Sequence, residues 1–449
     1  MNSFKNMNKV NRQIQKLLFT YKKGGIIMIR KKPIEWTKLD NAAKIFPPTT
    51  NEKDTKVFRF VCELNDVVDK ELLQSALEKT IELFPMYRSV LRSGVFWYYF
   101  ETSELSPVVT EEHKLPCSRL YHPNRRNLLF EVTYYRRRIN LEMYHALTDG
   151  TGALGFFKTL LYYYITERYQ EDFTEKLPKL DYDATFSQKM DDSFLKHYTS
   201  NNMLKRVKIT KAYRITGRRS IDNRIKVIEG VMSVKDILAL SHRYDTTLTV
   251  YLTALFIKAI YQEMPVRSRR YPVVLSVPVN LRTYFPSVTA RNFFGTIYIK
   301  YQFGKGNDEL ENIIEVVKSA FAQELTEERL LEHMNQLSAL EHNAFMRVIP
   351  LVLKDKILRI ANGLSNRGIT ATLSNVGKIS LTKELSPYIH MFNCFFSARR
   401  PQIGMCSFGD QLVVSFASPY IGTDIQKNFF RMLSKEGISI TLSYNSKEV

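Results

Sequence analysis

Cysteine is rare in this chain of 449 residues. Cys62, Cys117, Cys394 and Cys406 are the four, far apart and never in a CxxC pair. That spacing argues against a disulfide-stapled scaffold or a zinc ribbon and fits a reducing compartment. Glycine (18) and proline (16) are also scarce, and no segment recurs, which argues against collagen-like, disordered and solenoid architectures. No apolar run reaches the ~20 residues that cross a bilayer. The longest, around 248–260 and 154–165, carry Thr, Lys and Tyr at helical spacing and read as buried helices. The first 20 residues hold no continuous apolar stretch of the signal-peptide kind, so a cytoplasmic location is expected. No two histidines stand four apart, and no metal is expected. A Gly-rich phosphate loop is missing too: Gly150, Gly152 and Gly155 are superficially GxGxxG, but such a match alone is weak.

Positive charge is abundant. Lysine and arginine number 65 against 45 acids, a net charge of +20. An excess of this size favours an anionic partner, whether nucleic acid, acidic lipid or a phosphorylated co-substrate. Lys5, Lys9, Arg12, Lys16, Lys22 and Lys23 all fall in residues 1–27, which hold no acid. Lys23-Gly24-Gly25 can be encoded by a bacterial ribosome-binding sequence, with Met28 following at a suitable distance, so translation is expected to start at Met28. Residues 1–27 would then be a non-native extension. The clusters Arg136-Arg137-Arg138, Arg218-Arg219 and 267–270 read as solvated faces, and no nucleic-acid-binding motif accompanies them.

Apolar patterning alternates between strand and helix periods from residue 28 onward. Strands are predicted at 56–64, 94–101, 128–135 and 137–145, with helices at 69–84 and 154–169. An acidic stretch, 171–192, reads as a linker. Strands follow at 224–231, 272–279, 370–373 and 412–417. Helices are predicted at 247–263, 307–341 and 425–433, and Ser233 is placed as a helix cap. The result is an α/β chain of two mixed halves, with lobes at 28–195 and 196–449.

The most informative stretch is Met143-Tyr144-His145-Ala146-Leu147-Thr148-Asp149-Gly150. A histidine closes a buried strand, an aspartate follows four residues later, and Gly150 is expected to let the chain turn sharply into a helix. A chance HxxxDG arises roughly 0.01 times in a chain of this composition. Two readings fit the spacing: a core histidine bonded to a carboxylate, or a general base whose neutral imidazole takes a proton from a hydroxyl, thiol or amine.

HxxxDG between a strand and a helix, in a chain of this length with two α/β halves, resembles the CoA-dependent acyltransferase superfamily. That group includes chloramphenicol acetyltransferase, peptide-synthetase condensation domains, plant acyltransferases and alcohol acetyltransferases. Pro278-Val279-Asn280-Leu281-Arg282 with Arg291-Asn292-Phe293-Phe294-Gly295 resembles the strand and loop after the long helix of the second lobe. Ser374-Asn375-Val376-Gly377 is similar to the SNxG strand end of members acting on alcohols. The opening Trp36-Thr37-Lys38-Leu39-Asp40-Asn41-Ala42-Ala43-Lys44-Ile45-Phe46-Pro47 resembles the start of bacterial alcohol acetyltransferases. The fuller family pattern is HHxxxDG, and Tyr144 replaces its first histidine, as plant members also lack it.

The resemblance implies two lobes of the chloramphenicol acetyltransferase type with a tunnel between them. It implies His145 as base, Asp149 and Gly150 as the rest of the catalytic motif, and Arg282 as the partner of Asp149. Ser374 or Asn375 would donate to the oxyanion, unless Ser374 merely closes a turn. Lys378, Arg399 and Arg400 would form a basic rim for the CoA phosphates, unless each is simply solvated. No bound cofactor is implied. Acetyl-CoA or another acyl-CoA is implied as the co-substrate, with a small alcohol or other hydroxylated molecule as acceptor, and a monomer is expected. No built-in carrier motif occurs, but a separate carrier protein could supply the acyl group. A catalytically silent two-lobed binding protein is the further alternative.

Overall fold

The computed structural model describes residues 35–173, 193–197, 210–220, 222, 224–304, 308–342 and 348–445. Residues 1–27 and most of the acidic stretch 171–192 lie outside them, and with them the expected start at Met28.

Strands β2 (Val57–Leu64), β6 (Phe130–Tyr135) and β7 (Arg138–Tyr144) form where β-branched and aromatic residues alternate. Helix α1 (Lys70–Leu83) starts where Asp69 accepts a hydrogen bond from Leu72 N, and it buries Leu73, Leu77 and Ile81 on one face. It packs beside α2 (Gly150–Arg168). These elements build a five-stranded sheet in the order β12-β2-β7-β6-β5, where β5 is Thr110–Glu111 and β12 is Ile389–Phe396. A small sheet joins β1 (Trp36–Lys38), β4 (Tyr98–Thr102) and β3 (Ser89–Ser93).

A second, seven-stranded sheet has the order β10-β9-β11-β13-β14-β8-β15. Its strands are β8 (Lys226–Ser233), β9 (Val273–Asn280), β10 (Phe294–Tyr301), β11 (Ala371–Lys378), β13 (Gln402–Phe408), β14 (Gln411–Ser418) and β15 (Thr441–Tyr444). The Ser233 cap is present, its hydroxyl accepting from Asp236 N at 3.2 Å. Helix α3 (Leu248–Gln262) lies against this sheet and buries Leu252, Leu255 and Phe256. The fold is therefore mixed α/β with two sheets, each over its own apolar core.

Three findings differ from the patterning. The helical stretch 307–341 is two helices, Leu310–Glu324 and Glu327–His342. Thr326 interrupts it, because its hydroxyl accepts from Arg329 N and starts a new helix. The C-terminal half also lends a strand to the first sheet: β12 pairs antiparallel with β2 from Ile389↔Leu64 to Phe396↔Phe58. It packs so closely on β13 that a Cβ at Gly404 would stand 2.5 Å from the Cys394 carbonyl oxygen. Finally, the run 136–138 is not simply a solvated face. Arg137 and Arg138 both pair with Glu63, at 2.8 and 2.9 Å, and Arg138 reaches Glu229 of the second sheet at 3.2 Å.

Candidate active site

His145 follows the last residue of β7, and its backbone N–H continues the ladder by donating to Lys56 O at 2.8 Å. The imidazole is partly exposed and ringed by aromatics. Phe46 stacks on it at 4.6 Å, and Phe58 and Phe294 each lie 5.2 Å away. Burial among these rings holds its pKa below the ordinary 6.5, against the pull of Asp149 and the Asn292 bond toward a higher value. The ring is therefore neutral near pH 7.

The proton on that neutral ring is placed by a chain of buried polar groups. Asn292 Nδ2 donates to Asp40 Oδ2 at 3.1 Å, and a carboxylate oxygen can only accept. That orientation turns Asn292 Oδ1 toward His145 Nδ1, 3.1 Å away. An amide oxygen also only accepts, so Nδ1 carries the hydrogen and Nε2 keeps its lone pair. Asp40 is further held by Ala43 N at 2.7 Å, and both Asp40 and Asn292 are fully buried.

Asp149 does different work. It caps α2 by accepting from Gly152 N at 3.0 Å, while its other oxygen accepts from Phe293 N and Arg282 Nη1, each at 2.7 Å. The Arg282 guanidinium spreads across the same loop, donating to the carbonyls of Thr289 and Arg291 at 2.9 and 2.6 Å. The loop after His145 is thus tied to residues 289–293 of the second half. Thr148 Oγ1 adds a bond to Ala290 O at 2.6 Å.

The expected sharp turn at Gly150 is absent. Gly150 is the first helical residue, its φ is not positive, and the nearest atom to a Cβ there would be Phe60 Cζ at 3.9 Å. Gly152 is the crowded glycine: a Cβ would stand 2.2 Å from Ala290 O and from Thr148 Oγ1. The close approach of the two halves lies there.

The sequence profile of the alcohol acetyltransferase family matches residues 108–409, well over half of the chain. The chain belongs to the alcohol acetyltransferase family. Solved structures share the fold of this family member. TRI101 of F. graminearum, complexed with coenzyme A and deoxynivalenol, has a TM-score of 0.62 at 10% identity, over 90% of this chain and 99% of its own. TRI3 trichothecene 15-O-acetyltransferase of Fusarium sporotrichioides gives 0.58 at 10% identity, over 89% and 94%. The starter condensation domain of rhizomide synthetase RzmA, in complex with C8-CoA and Leu-SNAC, gives 0.58 at 13% identity, over 89% and 94%. At these identities the likeness is one of fold. No curated protein matches the chain by sequence.

The remaining expected residues of this alcohol acetyltransferase family member fall in different places. Ser374 and Asn375 are neighbours on β11, so their side chains leave opposite faces of the sheet. Asn375 Nδ2 donates to Thr249 Oγ1 at 2.8 Å and its Oδ1 accepts from Gly377 N at 2.8 Å, which commits it to the helix side. Ser374 is half-buried and stands in register with Gly404, which packs on Phe396; Phe396 in turn neighbours Phe58 of the histidine cage.

Lys378 and the pair Arg399 and Arg400 do not form one rim. Lys378 ends β11 opposite Ser407, whereas Arg399 and Arg400 precede β13, whose first residue faces Thr372. Six residues of strand, roughly 20 Å at ~3.3 Å each, separate the two groups.

Tyr144, at the position of the family pattern's first histidine, is fully buried on the other face of β7. Its hydroxyl lies 2.8 Å from Thr50 Oγ1, and its ring stacks on Tyr121. Sequence reading missed the roles of Asp40 and Asn292, although both lie inside the segments that carry the resemblance. No spacing rule pairs residues 252 positions apart. Among the described residues, no three His, Cys, Asp or Glu side chains could hold a metal ion, and no helix is long and apolar enough to cross a membrane.

Proposed function

We propose that this chain transfers an acyl group, acetyl in the first instance, from acyl-CoA to the hydroxyl of a small alcohol, with His145 as general base. The observation that carries this reading is the buried chain from Asp40 through Asn292 to His145 Nδ1, which leaves Nε2 with the lone pair a base needs. Nε2 takes the acceptor's hydroxyl proton as the oxygen attacks the thioester carbonyl. The tetrahedral intermediate then collapses, the C–S bond breaks, and the imidazolium returns the proton to the CoA thiolate. A positioned base contributes about 10²–10⁴-fold. Ser374 is the oxyanion donor in this reading, and Asn375 is set aside because its amide is occupied. Asp149 and Arg282 hold the loop that aims His145 and do not touch substrate.

TRI101 is described with coenzyme A and deoxynivalenol bound, which supports a CoA donor and a hydroxylated acceptor. The test uses purified protein, acetyl-CoA and a panel of alcohols, following thiol release and ester. Ester from the wild type and none from His145→Ala is the expected result.

A second reading rests on the condensation-domain likeness: the acyl group arrives on a separate carrier protein. Ester formation from carrier-bound acyl groups, with none from free acetyl-CoA, would select it.

A further inference from the structure

A surface helix ordinarily turns its apolar side chains inward. The helix Leu351–Ser365 does the reverse. Leu353, Ile357, Ile360 and Leu364 recur at alternating steps of four and three residues, which sets them on one face, with Val352 beside them. That face is in solvent: Val352 is 73% exposed, Ile360 65% and Leu353 51%. The inward side carries Lys354 and Asp355, both buried.

Those two polar groups are met inside the protein. Lys354 Nζ donates to Phe96 O at 2.9 Å and lies 3.2 Å from the centre of the Trp97 ring. Asp355 Oδ2 accepts from the Tyr98 hydroxyl at 2.7 Å. Arg359 Nε donates to Pro48 O at 2.8 Å, bracing the helix on the segment that carries Phe46. These bonds fix the rotation of the helix about its own axis, so the fold itself holds the apolar face outward. The turn between β3 and β4 extends that face. Leu351 N donates to Val95 O at 2.9 Å, and Val95 and Phe96 are both exposed. From this turn to the end of the helix the strip runs on the order of 20 Å, at ~1.5 Å per helical residue. An uncovered apolar strip of this length marks an interaction surface.

The charges around the strip select its occupant. Asp355 is the one acid in residues 348–367, and it faces inward. Lys356 stands exposed within the strip, and Arg359 is exposed at its margin. At the far end, Gly363 and Arg367 border a depression that Arg214 and Arg399 also line. A second copy of this chain would set the same cations against themselves. A bilayer with anionic headgroups answers both features, since its acyl region takes the apolar side chains while its phosphates meet the cations, and long Lys and Arg stems reach from one to the other.

We infer that the outward face of the helix Leu351–Ser365, with the Val95-Phe96 turn, docks this protein on the surface of an anionic lipid bilayer. The helix lies in the headgroup plane, its apolar side chains down and its cations among the phosphates. Docking is independent of acyl transfer and is measured without turnover.

Flotation of the full chain tests it, using vesicles of phosphatidylcholine alone and of equal parts phosphatidylcholine and phosphatidylglycerol at physiological salt. The wild type is expected to partition onto the mixed vesicles at least roughly 10-fold more strongly than onto phosphatidylcholine. Val352→Asp/Ile360→Asp should lower partitioning onto the mixed vesicles by roughly 100-fold. Lys356→Gln/Arg367→Gln should lower it by roughly 10-fold. Leu442→Asp, at an exposed apolar residue of β15 outside the strip, should partition as the wild type does. Thermal unfolding of each variant establishes that it is folded. A wild type that floats with neither vesicle overturns the inference. Unchanged partitioning of folded Val352→Asp/Ile360→Asp does so too, because net charge alone would then hold the chain to lipid. An equal loss in Leu442→Asp overturns the assignment to this helix. Self-association that Val352→Asp/Ile360→Asp abolishes, without flotation of the wild type, overturns it in favour of a second copy of the chain.

Discussion

The histidine loop and the corner of the second sheet lined by Arg214, Arg219, Arg367, Arg399 and Arg400 are both rich in polar side chains, yet they are built on opposite terms. Around His145 the groups answer one another: Asp40 holds Asn292, Asn292 holds the imidazole, and Asp149 answers Arg282, Phe293 and Gly152. At the corner, Arg214, Arg367 and Arg399 are cations with no acid to answer them. A site that must aim one atom closes its hydrogen bonds internally. At the corner the unanswered cations stay exposed, where water and salt screen them.

That contrast can be broken hardest at Asp149. Asp149→Ala strands the buried Arg282 guanidinium and should cost about 3–5 kcal/mol of stability in denaturant unfolding. The two motif glycines sharpen the same point. Gly152→Ala drives a methyl into Ala290 O and should cost about 1–3 kcal/mol, whereas Gly150→Ala, at the start of a helix with open space around it, should stay within about 0.5 kcal/mol of the wild type. Equal losses at both positions would show that the junction of the halves is looser than the 2.2 Å approach requires.

A smaller effect is expected at the tautomer relay. Asp40→Asn frees the Asn292 amide to turn its Nδ2 toward His145, which lets the proton move to Nε2. The rate of ester formation should drop about 10- to 100-fold with little change in KM for either substrate. The pH profile carries the gentlest signature. Because burial lowers the His145 pKa, the acid limb of kcat/KM should fall below 6.5, with activity retained between that limb and 6.5. Unfolded chains bind more protons than the native state in the same interval, so stability should rise with pH across it. At the corner, Arg214→Gln/Arg399→Gln should leave stability in the absence of ligand within about 0.5 kcal/mol, since no ion pair is lost.

Much of this was legible in the sequence because it is local. The strand at Val57–Leu64, the helix at Lys70–Leu83 and the HxxxDG turn each announce themselves within a few residues, through alternation, a capping Asp69 and a short motif. What escaped depends on pairings across the chain. Strand β12 was not predicted, because His390 and Asn393 break any clean alternation in Ile389–Phe396, which finds its meaning only beside β2. Asp40 reads as an ordinary acid near a helix start until Asn292 comes to meet it. Lys378 and Arg399 look like one basic group in the sequence, and only the parallel register of β11 and β13 separates them.

The strand that the C-terminal half lends to the first sheet has a consequence for how the protein is made. Until Ile389–Phe396 leaves the ribosome, the outer edge of β2 stays bare, and its eight residues are all buried in the finished fold. Some 300 residues must be synthesised in between, on the order of tens of seconds at ~5–20 residues per second. Through that interval the nascent chain carries an apolar strand edge of the kind that recruits other chains. Yield in cells should therefore depend on translation speed and chaperone supply more than the stability of the completed molecule would suggest.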